Sequence, residues 1–128
     1  MENYRIITGD ISTIILTKNI AKSHIYNLRL IARINKADSP EIFKGELQSR
    51  QLSTIKKLKE QCEQYVNRVE HALDSLSSIH REIIVEEFFQ NRRSHFYHHY
   101  SKSSYYRYRK AACDLFVEAF NKRYELRT

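Results

Sequence analysis

The sequence contains very few of the residues that build turns. Among its 128 residues there are only two glycines and one proline. An all-β fold needs turn residues in quantity, and a phosphate-binding loop needs several glycines close together. We therefore expect an all-α fold. The sequence also has no nucleophile elbow, so we do not expect an enzyme.

Long apolar runs are absent as well. No stretch approaches the roughly 18 apolar residues that span a bilayer, and the N-terminus lacks the basic and apolar regions of a secretory signal. Cys62 and Cys113 lie far apart, as is typical of reduced thiols in a cytoplasmic protein. We therefore expect a cytoplasmic chain with no membrane partner, and its length fits one domain with a modest core.

Acidic residues are missing between Glu87 and Asp114, although the whole chain carries a net charge of only +7. That window instead holds six lysines and arginines, three histidines and five of the nine tyrosines. A patch of one sign with interleaved aromatics is typical of a nucleic-acid-binding surface. The alternative is a basic surface that only aids solubility.

Within this window the pattern predicts a short helix capped by Ser94 and reaching Tyr100, a polar turn, and then a long amphipathic helix capped by Ser101 or Ser103. The apolar stripe of the long helix comprises Tyr105, Tyr108, Ala112, Leu115, Phe116, Ala119 and Phe120. Its opposite face begins with Tyr106, Arg107 and Lys110, after Lys102 in the lead-in. This is a helix-turn-helix pattern, whose second helix enters the DNA major groove.

The same region resembles a known family. The segments ALDSL, REIIVEEFF and YSKSSYYRYRKAACDLF, within about residues 70–120, resemble the C-terminal half of the ArpU/RinA-like phage late-transcription regulators. The resemblance implies a helix-turn-helix like that of sigma-factor region 4, activation of late phage genes and contacts to RNA polymerase. His99 stands where the family usually carries Gly, and His tolerates a left-handed backbone, so we expect the turn to be retained.

The N-terminal part leaves two interpretations open for residues 4–16. Thr8-Gly9-Asp10 could turn a hairpin, or Asp10 could cap a helix, which we favour because an isolated hairpin is marginal. A helix over 19–36 follows, with Lys22, Arg29, Arg33 and Lys36 outside. Ser39-Pro40-Glu41 then predicts the start of a long helix over 40–76, with a potential interruption near Gly45.

The long helix carries an apolar seam at alternating steps of three and four, formed by Ile55, Leu58, Cys62, Tyr65, Val69, Ala72 and Leu76. We favour its packing against the first helix of the same chain, and a homodimer through the helix 40–76 is the alternative. Ser77 or Ser78 caps the next helix, over 79–90. Its inner face is Ile83, Ile84 and Phe88, while Glu82, Glu86 and Glu87 are expected on a solvated face.

Other chemistries fit less well. A zinc site usually needs four ligands including thiolates, so His95, His98 and His99 are expected to contact the DNA backbone or fill the first helix of the pair rather than bind metal. Tyrosines can stack on single-stranded bases, but such platforms lie on sheets or grooves. At helical spacing, Tyr105 and Tyr108 are expected in the core, and Tyr106 remains a candidate for contacting the bases.

The sequence therefore predicts an N-terminal helical region, 1–76, and a helix-turn-helix region, 77–128, that binds double-stranded DNA sequence-specifically and regulates transcription. The residues expected to face bases or flanking phosphates are Lys102, Ser103, Ser104, Tyr106, Arg107 and Lys110. Arg92 and Arg93 are expected to grip the backbone. A helical protein-interaction module acting on RNA polymerase and a sigma-like accessory factor are the alternatives.

Overall fold

The computed structural model describes residues 10–37 and 49–127. These ranges contain helices and no strand, which confirms the all-α prediction. The α-helices are α1 (Asp10–Ala37), α2 (Ser49–Asp74), α3 (Ser78–Ile84) and α4 (Lys102–Arg127). A π-helical turn, Val85–Phe89, continues α3, and a 3-10 helix, His95–His98, precedes α4.

The N-terminal region is helical over the residues that are described. The helix interpretation is confirmed over 10–16, because α1 begins at Asp10 and continues without a break through 19–36. The predicted helix start at Ser39-Pro40-Glu41 and the interruption near Gly45 lie outside the described residues. Within 10–37 and 49–127, no helix combines the length and apolar character that crossing a bilayer requires.

The apolar seam of α2 is buried in its second half only. Cys62, Val69 and Ala72 are buried, and Val69 and Ala72 pack in one hydrophobic cluster with Ile20 of α1. Leu58, in the first half, is 40% exposed. The favoured interpretation, packing within the chain, is therefore confirmed for the second half of the seam.

Helix α4 lies against both N-terminal helices and α3. Ala112, Phe116 and Phe120 are buried as predicted, but Tyr108 and Leu115 are 38% and 43% exposed. The prediction that these two belong to the core is wrong. Because α1, α2 and α3 cover a broad face of α4, the buried stripe is displaced to the side that carries Cys113 and Val117.

Aromatic rings join the N-terminal and C-terminal regions. Phe89 contacts His24 and Phe116 edge to face, with ring centroids 5.3 and 6.3 Å apart. The Arg68 guanidinium lies 3.6 Å from the centroid of the Phe120 ring, and its Nε donates to the Phe120 carbonyl at 2.9 Å. Residues of α1, α2, α3 and α4 thus share one hydrophobic cluster, to which α4 contributes residues of its middle part, from Ala112 to Phe120.

Candidate nucleic-acid interface

The π-helical turn carries two buried carboxylates. The Gln90 amide donates to the Val85 carbonyl five residues back, at 2.8 Å, which closes the wider turn. Glu86 is 7% exposed, and the Glu87 side chain is nearly as buried. The prediction of a solvated face is wrong for these two, although Glu82 remains half exposed. Buried carboxylates need compensating partners, and the chain that follows supplies them.

Glu86 organises the loop before the 3-10 helix. Its Oε1 accepts from Ser94 Oγ at 2.9 Å and lies 2.9 Å from His95 Nδ1, while Arg92 lies 3.0 Å from Oε2. Burial by itself would raise the pKa of Glu86, but the hydrogen bonds from His95 and Ser94 and the charges of His95 and Arg92 lower it overall. Ser94 also accepts from the Phe96 amide at 3.3 Å, so its predicted role as a cap is confirmed.

Glu87 anchors the first turns of α4. The fully buried Tyr105 donates its hydroxyl hydrogen to Glu87 Oε2, and Arg109 lies 3.3 Å from Oε1. Burial, followed by the hydrogen bond to Glu87 and its charge, raises the pKa of Tyr105. Arg93 approaches the same carboxylate at 3.8 Å. The start of α4 is thereby fixed to the π-helical turn from the inside.

In the folded chain, the positive charge of the segment between Glu87 and Asp114 is therefore partly neutralised. Although it contains no acid in sequence, Arg92, Arg93 and Arg109 all lie beside Glu86 or Glu87, which immediately precede it. Arg92 and Arg93 nevertheless keep side-chain exposures of 61% and 48%. Each guanidinium has five donor hydrogens, so both can bind a further anion while they keep their carboxylate.

The N-terminus of α4 projects from this support. Ser101 is the cap, because its Oγ accepts from the Ser104 amide at 3.2 Å. Lys102, Ser103 and Arg107 are exposed, and Arg107 donates to Ser104 Oγ at 3.3 Å. We call these exposed residues, with the half-buried Ser104, the α4 tip. Lys110 is partly buried farther along the helix.

Tyr106 belongs to a second group, beside the loop. Its hydroxyl accepts from Arg93 at 3.3 Å, and the Arg109 guanidinium lies 4.8 Å from its ring centroid. Arg93 also lies 4.4 Å from the centroid of the Tyr97 ring. Apart from Lys110, the structure thus separates the predicted site residues into the α4 tip and an arginine group formed by Arg92, Arg93 and Tyr106.

Tyr108 is a surface residue that periodicity misassigned to the core. Its ring packs against Tyr100 with centroids 5.0 Å apart, and with Ser104 and Arg107 it lines a recess of about 280 Å³. The sequence signal was the spacing of four between Ser104 and Tyr108, which brings both to one side of the helix. Tyr108 therefore adds an aromatic surface to the α4 tip.

The histidines do not assemble a metal site in the part of the chain that is described. His95 lies beside Glu86, whereas His98 and His99 are exposed. His99 is not left-handed, since its φ is −91° and its ψ is −14°. A positive φ occurs instead at Asn91, at 57°, in the loop that follows the π-helical turn.

Taken together, the site offers cationic and hydroxyl donors on a helix tip and two half-exposed arginines on an adjacent loop. Such donors suit phosphate oxygens and the edges of bases. The carboxylates within the site, Glu86 and Glu87, are held inside by hydrogen bonds and ion pairs. Comparison of the chain with protein-family models, curated proteins and solved structures finds no match.

Proposed function

We propose that this chain is a sequence-specific regulator of transcription that binds double-stranded DNA. The 3-10 helix, residues 99–101 and α4 would act as a helix-turn-helix, with the α4 tip in the major groove. The observation that carries the proposal is that Tyr105 and Glu87 fix the start of α4 from within, while Lys102 and Arg107 face outwards. A cationic helix start on a rigid support is what major-groove reading requires.

The proposal gives the two groups different roles. On the α4 tip, the Arg107 guanidinium reads a guanine edge with two hydrogen bonds, and Lys102, Ser103 and Ser104 contact neighbouring bases or phosphates. Arg92 and Arg93 bind the backbone, which sets orientation without reading sequence. Tyr106 supports Arg93 through its hydroxyl, and Lys110 adds a phosphate contact.

The resemblance of residues 70–120 to the ArpU/RinA-like regulators supports the same proposal. Its motif YSKSSYYRYRKAA begins at Tyr100, after the 3-10 helix, and continues into α4 through the α4 tip, where the exposed cations lie. Under this proposal the chain activates late phage genes and contacts RNA polymerase. Its function is binding and not catalysis.

Selection of bound sites from random duplex DNA tests the proposal directly. We expect enrichment of one motif, and affinity for it should fall steeply as salt rises, because each neutralised phosphate releases counterions. A protein that enriches no motif, and whose retention on duplex DNA does not respond to salt, would contradict the proposal.

A second candidate, a helical protein-interaction module on RNA polymerase, is favoured by a different surface. Leu115 is exposed, and with Leu76, His80 and Ala119 it lines a recess of about 440 Å³ on the side of α4 that faces α3. An apolar contact there should hardly respond to salt. Binding of purified RNA polymerase that survives high salt and is lost in Leu115→Asp would favour this candidate, and also a sigma-like accessory factor, over direct DNA reading.

A further inference from the structure

Helix α1 carries all its lysines and arginines on one stripe. They follow one another at steps of four, seven, four and three, and all are exposed: Lys18, Lys22, Arg29, Arg33 and Lys36. At about 100° per residue, these steps place the five within about 60° of the helix circumference. The opposite side of α1 carries the buried Thr17, Ile20, Ala21 and His24, which face the core. We call the five cations the α1 stripe.

The α1 stripe differs from an ordinary solvated face. No acidic residue occurs between Ile11 and Lys36, and none of the five cations forms an ion pair with a carboxylate in the described part of the chain. Lys18 and Lys22 are like-charged neighbours at a spacing of four, as are Arg29 and Arg33, and such pairs destabilise a helix.

Helix α2 shows the ordinary pattern in the same molecule. Its surface mixes the two signs, with the exposed Lys56 four residues before Glu60 and the half-buried Lys59 four residues before Glu63. Opposite charges at that spacing stabilise a solvated helix. The chain therefore mixes charges where a face is merely solvated, and the single sign of the α1 stripe calls for an external anion.

One end of the α1 stripe lies beside the arginine group. Lys18 lines a recess of about 330 Å³ together with Arg92, Arg93 and Arg109. Glu87 also lines this recess, and its carboxylate is ion-paired with Arg93 and Arg109. The recess thus joins the stripe to the arginines of the loop. From Lys18 to Lys36 the stripe extends for about 27 Å, at about 1.5 Å per residue, which is long enough to follow the phosphates of several base pairs.

We infer that the α1 stripe binds the sugar-phosphate backbone of the DNA duplex beside the site that α4 reads. This inference rests on the proposed function and adds a second, sequence-independent contact surface to it. A row of cations without acids suits a line of phosphates. An anionic membrane would attract the same charges, and Ile15, Leu16, Tyr26 and Leu28 of α1 are exposed. We assign the stripe to the duplex because Lys18 shares a recess with Arg92, Arg93 and Arg109, which the proposed function places on the DNA backbone.

The test compares two triple variants that each remove three positive charges at exposed positions. The stripe variant is Lys22→Gln/Arg29→Gln/Arg33→Gln, and the control is Lys56→Gln/Lys57→Gln/Lys122→Gln. Fluorescence anisotropy measures binding to the selected duplex and to a scrambled duplex at several salt concentrations. We expect the stripe variant to weaken both duplexes by the same factor and to reduce the salt slope by about three units, whereas the control keeps the wild-type slope.

Each other outcome overturns the inference in a recognisable way. A stripe variant with the wild-type slope overturns the inference and leaves the proposed function standing. Equal losses in both triple variants would show an effect of net charge alone. A wild-type chain that binds no duplex overturns both proposals. Phosphatidylserine vesicles that bind wild type and not the stripe variant, with duplex binding unchanged, would assign the stripe to a membrane.

The fold of each variant is checked by circular dichroism. If the triple stripe variant does not fold, the single variants Lys22→Gln, Arg29→Gln and Arg33→Gln replace it. Each should then reduce the salt slope by about one unit on both duplexes. Single variants that all keep the wild-type slope would overturn the inference equally well.

Discussion

The buried hydroxyl of Tyr105 donates a hydrogen bond to the Glu87 carboxylate, and this contact joins the first turn of α4 to the π-helical turn. Tyr105→Phe removes the donor and keeps the ring. Because the buried carboxylate then loses a partner, we expect the free energy of unfolding to fall by about 1–3 kcal/mol. Urea denaturation followed by circular dichroism measures the loss.

Tyr97→Phe is the matched control for that substitution. The Tyr97 ring contacts the Tyr105 ring at 5.2 Å between centroids, but its hydroxyl forms no hydrogen bond with any of the described residues. Tyr97→Phe should therefore lower the free energy of unfolding by no more than about 0.5 kcal/mol, as for surface changes away from special features. Equal effects of the two substitutions would show that the Tyr105 hydroxyl does not hold α4.

Phe116 and Leu115 are neighbours in sequence with opposite environments. Phe116 is fully buried among α1, α2 and α4, whereas Leu115 is largely exposed. We expect Phe116→Ala to destabilise the protein by about 3–5 kcal/mol, because truncation of a large aromatic leaves a cavity. Leu115→Ala should cost below about 1 kcal/mol. The difference between their denaturation midpoints tests the displaced stripe of α4, and a larger loss at Leu115 would contradict it.

Two substitutions in the seam of α2 separate folding from association. Val69 is fully buried and Leu58 is not, so Val69→Asp should unfold the chain by burying a charge, while Leu58→Asp should leave it folded. Circular dichroism distinguishes these outcomes, and light scattering reports the oligomeric state. A dimer that Leu58→Asp dissociates would show that the exposed half of the seam pairs two copies.

Periodicity and end signals predicted the helices well, because burial of a continuous apolar face and capping by Ser77, Ser94 and Ser101 are local properties. Periodicity could not place Tyr108, since the width of a buried face depends on how many helices cover it. The DNA-binding role of the α4 tip stays a prediction.

The buried contacts within the site could not be predicted from the sequence, for a related reason. Glu86 and Glu87 were predicted to be solvated because a charged residue is rarely buried without partners. Their partners, Arg92 and Arg109 among them, are separated from them by up to 22 residues and are brought there by the loop and by α4. The order of charges along the sequence does not show that the folded chain brings these residues together.

His24 gives the fold a dependence on pH. Burial lowers its pKa, while the charge of Glu70, whose carboxylate lies 3.9 Å from His24 Nε2, acts in the opposite direction. Asp74 and Arg81 line the same recess. Since the unfolded chain binds a proton at His24 more readily than the folded chain does, the free energy of unfolding should decrease as pH falls through the ordinary histidine range, about 7.5 to 5.5.

The substitution His24→Leu should flatten that dependence, because it removes the titrating ring. His71→Gln, at an exposed position of α2, controls for the loss of a histidine as such. Urea denaturation at several pH values measures the slope for each protein. A wild-type stability that rises as pH falls through this range would show that His24 gains a proton on folding, contrary to its burial.

Arg107 and Arg92 should affect DNA binding differently. Arg107 lies on the α4 tip, so Arg107→Ala should cost about 1–3 kcal/mol on the preferred site and relax the preference at one base pair. Arg92 lies on the loop beside Glu86, and Arg92→Ala should weaken all duplexes alike and lower the salt slope by about one unit. Titrations of the selected and scrambled duplexes at several salt concentrations separate the two effects.

Substitution of the same arginines by lysine makes this comparison more specific. Lysine keeps the positive charge but cannot donate the bidentate pair of hydrogen bonds that arginine forms. Arg107→Lys should retain the wild-type salt slope yet still lose preference at the same base pair. Arg92→Lys should restore affinity on every duplex, since a backbone contact needs only the charge. If Arg107→Ala leaves both duplex affinities unchanged, α4 does not read DNA through this residue. The salt-resistant contact through Leu115 then becomes the better account of the chain.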